Sequence, residues 1–432
     1  MRLIDCRNLG KADYASVLPR NQFDITEAQA VVGPICEDVR ARGQAALSEL
    51  SERFDHVVPP SFRVDPAAAE RAARELDPAL RAAFQVAIDR RRKVAAAEAA
   101  IPDTEVELAP GAHVAIRSVP VERVGLYVPG GLVPIPSSVL MNVIPAQAAG
   151  VTSLAVASPP QADFGGLPHP TILALCHILG VDEIYAVGGA QAVAMFAYGV
   201  EGLCAPVDMI TGPGNVYVTA AKRYVSGMVG IDAEAGVTEI AVLADAGANP
   251  AYVAADLMSQ AEHDPHAGVV LVTDSEDLVA RVGAELETMR RATGHGERVS
   301  TALSGQASGV MLVRDLDQGI EVVDAYGAEH LEIMTAGAAQ VARRIHNAGA
   351  IFVGDYSPVS LGDYSAGSTH VLPTSGSARY ASGLTVRSFF KTVHVIEYGK
   401  AGLAAIADGI ETFALAENLP AHAHAITVRS RS

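Results

Sequence analysis

Two doubly wound parallel-sheet lobes with a cleft between them, and helical segments at both ends, make up the α/β architecture that this chain predicts. Three observations carry the expectation. From residue 121 onward, short apolar runs rich in Val, Ile and Ala alternate with segments of helical period, separated by turns rich in Gly and Pro. The alternation runs through one series up to Gly236 and begins again after it. The 432 residues, half of them apolar and only 19% charged, suffice to bury more than one core.

Residues 26–110 are rich in Ala, Arg and Glu at helical spacing, as in 68–75 and 78–100, with a break at Pro59-Pro60. In the first series, 124–128 is a strand stopped by Pro129-Gly130-Gly131, and Ser137-Ser138 opens an apolar helix carrying Pro145. The strand 153–157 stops at Pro159-Pro160 and leads to a helix over 170–179. Next, 183–187 stops at Gly188-Gly189, and 207–210 stops at Gly212-Pro213-Gly214-Asn215 ahead of a helix over 216–229. Units of this kind in succession predict a parallel, Rossmann-like sheet. In the second series, 240–243, 269–272, 310–313 and 351–353 are strands, with helices after the first three. The part from Thr385 reads as largely helical. The domain expectation is therefore an N-terminal segment 1–25, a first lobe of 26–120 with 237–380, a second lobe 121–236, and a helical C-terminal segment 381–432.

Net charge sets the class of partner. At -17 the chain offers little to nucleic acid or an anionic membrane, which are held largely by clustered Lys and Arg, whereas a small cationic substrate would be welcome. Cys6, Cys36, Cys176 and Cys204 lie far apart without a Cys-x-x-Cys pair, so neither a thiolate zinc site nor a disulfide framework is expected. The first residues lack the long apolar core of a signal peptide. The longest uncharged run, 184–200, is broken by Gly188, Gly189 and Gln191, so no bilayer span is expected. These features predict a cytoplasmic protein of a reducing compartment.

Chemistry-bearing residues fall in separate stretches. Pro250 suits a first helical position, and Tyr252, Val253, Leu257 and Met258 recur at helical spacing up to Gln260 and His263. Those two share a face, so an amide oxygen and an imidazole can converge on one ion; alone, the pair also fits a solvated helix end. The glycine turns at 127–131, 188–191 and 212–215 occupy the same place in sibling units and should open on one edge of the sheet. Bare amides at helix starts can hold a phosphate. None is a Gly-x-Gly-x-x-Gly fingerprint and no acidic residue is matched to a ribose, so plain tight turns remain open. Glu329 and His330 could both transfer protons, but neighbours on a regular strand point to opposite faces, so a shared site demands irregular backbone there. In the Gly- and Ser-rich loop 361–374, Asp363 is a possible hard oxygen ligand and His370 a ligand or substrate contact, with a turn-capping Asp as the plain alternative. Glu417, His422 and His424 stand in what would otherwise be a frayed tail. Gln260, His263, Asp363 and His422 together make an N/O set suited to zinc with room for a substrate.

In order and spacing these motifs resemble the histidinol dehydrogenase family, zinc- and NAD-dependent enzymes of the last two oxidations of histidine biosynthesis. The resemblance runs over nearly the whole chain, from 123–131 through 212–215, 259–264, 329–332, 362–364 and 370–374 to Glu417 and His422. It implies one zinc ion per subunit on Gln260, His263, Asp363 and His422, the last supplied by the partner of a homodimer. It implies NAD on Tyr127, Gln191 and Asn215 in the second lobe, with metal and substrate on the first. L-histidinol would meet Thr238, Gln260, His263, His330, Asp363, His370, Glu417 and His422. Glu329 and His330 would transfer protons: His330 takes the alcohol proton, Glu329 activates the water that hydrates the bound aldehyde, and His330 acts again. Thr238 stands where many members have Ser, Val237 replaces a usual Pro, Thr369 a usual Asn, and Met209 a common Lys. The rivals are a related dehydrogenase of another small alcohol and a metallohydrolase, which would leave the glycine turns unexplained.

Overall fold

The computed structural model describes residues 1–20, 25–130, 134–233 and 236–430. Gly131 of the first glycine turn lies outside the described residues. After β1 (Arg2–Asp5) and α1 (Tyr14–Val17) come α2 (Ile25–Arg42), α3 (Gln44–Asp55), α4 (Pro66–Glu75) and α5 (Pro78–Ala99). Asp65 and Asp77 start the last two, each carboxylate accepting a free backbone N–H ahead of a first-turn proline. An antiparallel pair follows, β2 (Thr104–Ala109) and β3 (Ala112–Pro120).

The first α/β series then runs β4 (Arg123–Tyr127), α6 (Ser137–Ala149), β5 (Ser153–Ser158), α7 (Pro170–Ile178), β6 (Ile184–Ala186), α8 (Gly189–Tyr198), β7 (Met209–Thr211), α9 (Val216–Val225) and β8 (Gly230–Ile231). Its parallel sheet has the order β6-β5-β4-β7-β8. The second series comprises β9 (Glu239–Ala244), α10 (Pro250–His263), β10 (Gly268–Thr273), α11 (Glu276–Ala292), α12 (Gly296–Ser304), β11 (Gly309–Leu312), α13 (Leu316–Tyr326), β12 (His330–Met334), α14 (Ala338–Ala342), β13 (Ala350–Val353) and α15 (Val359–Tyr364). These strands order as β1-β11-β10-β9-β12-β13, also parallel. β9 and β10 are buried from end to end, which is why they read as unbroken apolar runs. The chain ends with β14 (Phe390–Tyr398), α16 (Lys400–Ala416) and α17 (Pro420–Ser430).

The two parallel sheets and their strands match the sequence expectation, but the allocation of the flanking segments does not. Helices α2 to α5 cover the first series rather than joining 237–380. Val32, Cys36 and Leu47 share a core with Tyr127, Tyr185 and Val193 on one face of that sheet, and Val64, Ala68 and Ile88 share another with Val124, Leu126 and Val143. The apolar stripes of these helices close faces that the crossover helices leave partly open. Residues 1–25 are likewise no separate segment, since β1 is the edge strand beside β11. The expected helical run to 110 and the helical reading from Thr385 both give way to strand, as β14 pairs antiparallel with β3 along its whole length. β14 is exposed along most of its length, so no alternation betrayed it.

Each parallel sheet reverses its strand order once, between β4 and β7 and between β9 and β12. The glycine turns lie at the C-terminal ends of β4, β6 and β7. Glu329 and His330 lie instead at the N-terminal ends of β12 and β9. The two edges meet where Ser138, at the start of α6, reaches His370 at 3.3 Å.

Candidate active site

α10 sets the first pair of side chains. Asn249 accepts the N–H of Ala251 at 3.0 Å, Pro250 takes the first turn, and buried Val253, Leu257 and Ala261 fix the rotation that turns Gln260 inward. His263 ends the helix with its ring open to solvent. The Gln260 amide nitrogen donates to Thr238 Oγ1 at 2.6 Å, so the amide oxygen is the end left for a cation. Thr238 Oγ1 in turn donates to Glu329 Oε2 at 2.7 Å, and the N–H of Glu239 donates to the same oxygen at 2.9 Å.

Glu329 stands in a bend immediately before β12, which is the irregular backbone that a joint Glu329/His330 site requires. Its side chain comes within 3.7 Å of His330 Nδ1. His330 Nδ1 also lies 3.2 Å from the carbonyl oxygen of Glu239. A carbonyl only accepts, so Nδ1 carries the hydrogen and Nε2 keeps its lone pair. That Nε2 is buried without a partner. Burial disfavours both charged forms: it pushes the Glu329 carboxyl up to about 8, against the donors from Thr238 and Glu239, and holds the His330 imidazolium below its ordinary range.

Asp363, in the last turn of α15, completes the internal cluster. Burial raises its carboxyl, while His330 and His263 nearby oppose the shift. His370 Nδ1 lies 3.3 Å from the carbonyl oxygen of Asp363, and burial pushes this imidazole down to about 4, so it is neutral near pH 7. Gln260, His263 and Asp363 offer an amide oxygen, an imidazole and a carboxylate, a donor chemistry that fits zinc. Among the described residues no three His, Cys, Asp or Glu side chains gather as a metal cluster. Glu417 and His422 are exposed near the junction of α16 and α17, and nothing in the single chain brings them to the others.

The glycine turns do open on one edge. Tyr127 Oη accepts the N–H of Gly189 at 3.2 Å, and Gln191 is buried in the first turn of α8. Gly212 has φ +116°, and a Cβ there would collide with the carbonyl oxygen of Tyr127, so only glycine fits. Asn215 caps α9 by accepting the N–H groups of Tyr217 and Val218. The turn is pinned from below: Asp232 Oδ2 accepts the Gly212 N–H at 2.7 Å, and Lys222 Nζ bridges Asp232 Oδ1 at 2.6 Å and the Gly212 carbonyl oxygen at 3.0 Å. Sequence reasoning missed Lys222, Asp232, Ser138 and Asp55. Asp55 borders the Gly188 turn, where burial pushes its carboxyl up to about 6. None of these sits in a recognisable motif, and Ser138 was legible only as a helix start.

A family model described as histidinol dehydrogenase matches residues 18–430. The histidinol dehydrogenase of Cutibacterium acnes is 61% identical over 435 aligned residues, covering 99% of each chain. That of Thermobifida fusca is 59% identical, covering 99% of this chain and 97% of the relative. The crystal structure of histidinol dehydrogenase from Elizabethkingia anophelis superposes with a TM-score of 0.93 at 33% identity, covering 100% of this chain and 98% of the other.

Proposed function

Because the chain belongs to the histidinol dehydrogenase family, we propose that it oxidises L-histidinol through bound L-histidinaldehyde to L-histidine in two successive NAD-dependent steps, with the proton transfers carried by Glu329 and His330. The observation that carries this residue assignment is the buried, unpartnered Nε2 of His330, whose tautomer the Glu239 carbonyl fixes. A base held that way can take the alcohol proton without first breaking a hydrogen bond. Glu329, raised by burial, is suited to take a proton from the water that hydrates the aldehyde. Thr238 and the Glu239 N–H fix the carboxylate in place. His370, neutral and lodged between Ser138 and Asp363, is suited to meet the substrate's polar end.

When bound, NAD would supply the hydride acceptor for each oxidation, and a zinc ion would supply an anchor for the substrate. Tyr127, Gln191 and Asn215, in the turns that open on one edge of the first sheet, are the residues for NAD. Gln260, His263 and Asp363 are those for zinc, with His422 as the fourth ligand and Glu417 as a substrate contact, both supplied by the second subunit of a homodimer. Two features support the dimer. The internal donor set lacks its fourth member, and the C-terminal arm exposes Ile396, Phe413 and Leu415 at 70%, 68% and 58%, which is uncommon on a free surface. No helix among the described residues is long and apolar enough to cross a membrane, and the four cysteines are buried and free, which agrees with a cytoplasmic setting.

The direct test counts NAD reduced per L-histidinol consumed. Two per substrate, lost on chelation and restored by zinc, is the expected result; one would indicate an ordinary alcohol dehydrogenase, and none a hydrolytic enzyme. Shared sites are tested by mixing subunits. His330→Asn and His422→Ala, each inactive alone, should regain activity when refolded together, because one mixed site then holds both native residues. Absence of recovery in a verified heterodimer would place His422 in its own subunit's site.

A further inference from the structure

Asp256 on α10 and Glu332 on β12 are buried carboxyls, 7% and 1% exposed, with no cation beside them among the described residues. Glu332 Oε1 accepts the N–H of Val359, the first residue of α15, at 2.7 Å. Its Oε2 is sealed from water without a donor, and the Asp256 carboxyl lies within hydrogen-bonding reach of the Glu332 carboxyl. The register partners of Glu332 on β9 and β13, Val242 and Phe352, bring no charge. Two carboxylates placed together away from water repel strongly, whereas one proton between them converts the repulsion into an O–H···O bond and satisfies the orphaned oxygen.

The elements that meet at this pair carry the internal site. Gln260 lies one turn beyond Asp256 on α10, His330 lies two residues before Glu332 on the same face of β12, and Asp363 lies one turn beyond Val359 on α15. We propose that Asp256 and Glu332 share a single proton and act as positioning residues, a clasp that sets the spacing of α10, β12 and α15 so that Gln260, His330 and Asp363 converge. The functional consequence of the clasp rests on the active-site reading above, but its existence does not. Burial, reinforced by the Asp256 carboxyl, holds the Glu332 carboxyl well above the usual carboxylate range. A carboxyl whose folded pKa is raised contributes its full stability below its ordinary value and loses it as pH climbs toward the raised one.

The test compares Glu332→Gln with Glu332→Leu in the full-length protein. The Gln amide can donate to Asp256 and accept from Val359 without a titrating proton, whereas Leu can do neither. From about pH 5 upward, above the ordinary carboxyl range, the wild-type folding constant should fall relative to that of the Gln variant by up to about tenfold per pH unit, read from unfolding midpoints at each pH. The Gln variant should keep kcat for L-histidinol within about threefold, while the Leu variant loses about thirtyfold or more, chiefly in kcat, as expected when reacting groups are misplaced. A pH-independent difference in midpoint overturns the shared proton, and equal damage from Gln and Leu overturns the clasp. If the Leu variant does not fold, Asp256→Asn replaces it. Its amide can donate to Glu332, so retained kcat with a flattened stability profile supports the clasp and a crippled enzyme overturns it. A wild type that reduces no NAD would sink the active-site reading while leaving the pH-dependent midpoints to judge the pair.

Discussion

The His330→Asn variant is expected to turn over L-histidinol about 10²–10⁴-fold more slowly than the parent, the range lost when a general base is removed. Its fold and bound zinc should be unchanged. Asn keeps a short polar side chain that can still donate to the Glu239 carbonyl, the role Nδ1 fills at 3.2 Å, but it has nothing to replace the free lone pair of Nε2. The loss should therefore fall on kcat more than on KM. Steady-state kinetics, metal content and far-UV circular dichroism on one preparation separate the outcomes. A nearly active variant would remove His330 from proton transfer and leave Glu329 as the sole candidate.

Asp232→Asn should destabilise the protein by about 3–5 kcal/mol, because it strands the Lys222 ammonium inside the lobe built by the first α/β series. The side chains of that pair are only 1% and 2% exposed, so water screens them little. Lys222 also donates to the Gly212 carbonyl oxygen, so KM for NAD should rise in the same variant. The double variant Lys222→Met/Asp232→Leu should recover most of the lost stability, since it removes both charges together, while KM for NAD stays high. Denaturant midpoints with NAD titrations provide the check. A single variant that loses less than about 1 kcal/mol would mean that water reaches the pair.

What the sequence made legible follows the physics of burial. β9 and β10 are covered on both faces and read as continuous apolar runs, and Gln260 and His263 fall together because the helical period is fixed by the same residues that pack. The bend at Glu329 could be deduced, since two adjacent side chains reach one site only when the strand has not yet begun. β14 escaped because neither face is buried, leaving no alternation to find. The lobe to which α2 to α5 belong escaped for another reason: an apolar stripe records that a helix is covered, not which sheet covers it. Lys222 with Asp232, and Asp256 with Glu332, were invisible because a buried charge reads in sequence as an ordinary surface residue.

The hydroxyl of Thr238 has one hydrogen to give, and it now points at Glu329 because the Gln260 amide already occupies it from the other side. Once Glu329 Oε2 binds a proton it can become the donor, and the hydroxyl, with two lone pairs, then accepts from both neighbours and aims its own hydrogen elsewhere. The orientation of the Thr238 hydroxyl thus registers the protonation of the carboxyl, while the amide bond that holds Gln260 is kept in both states.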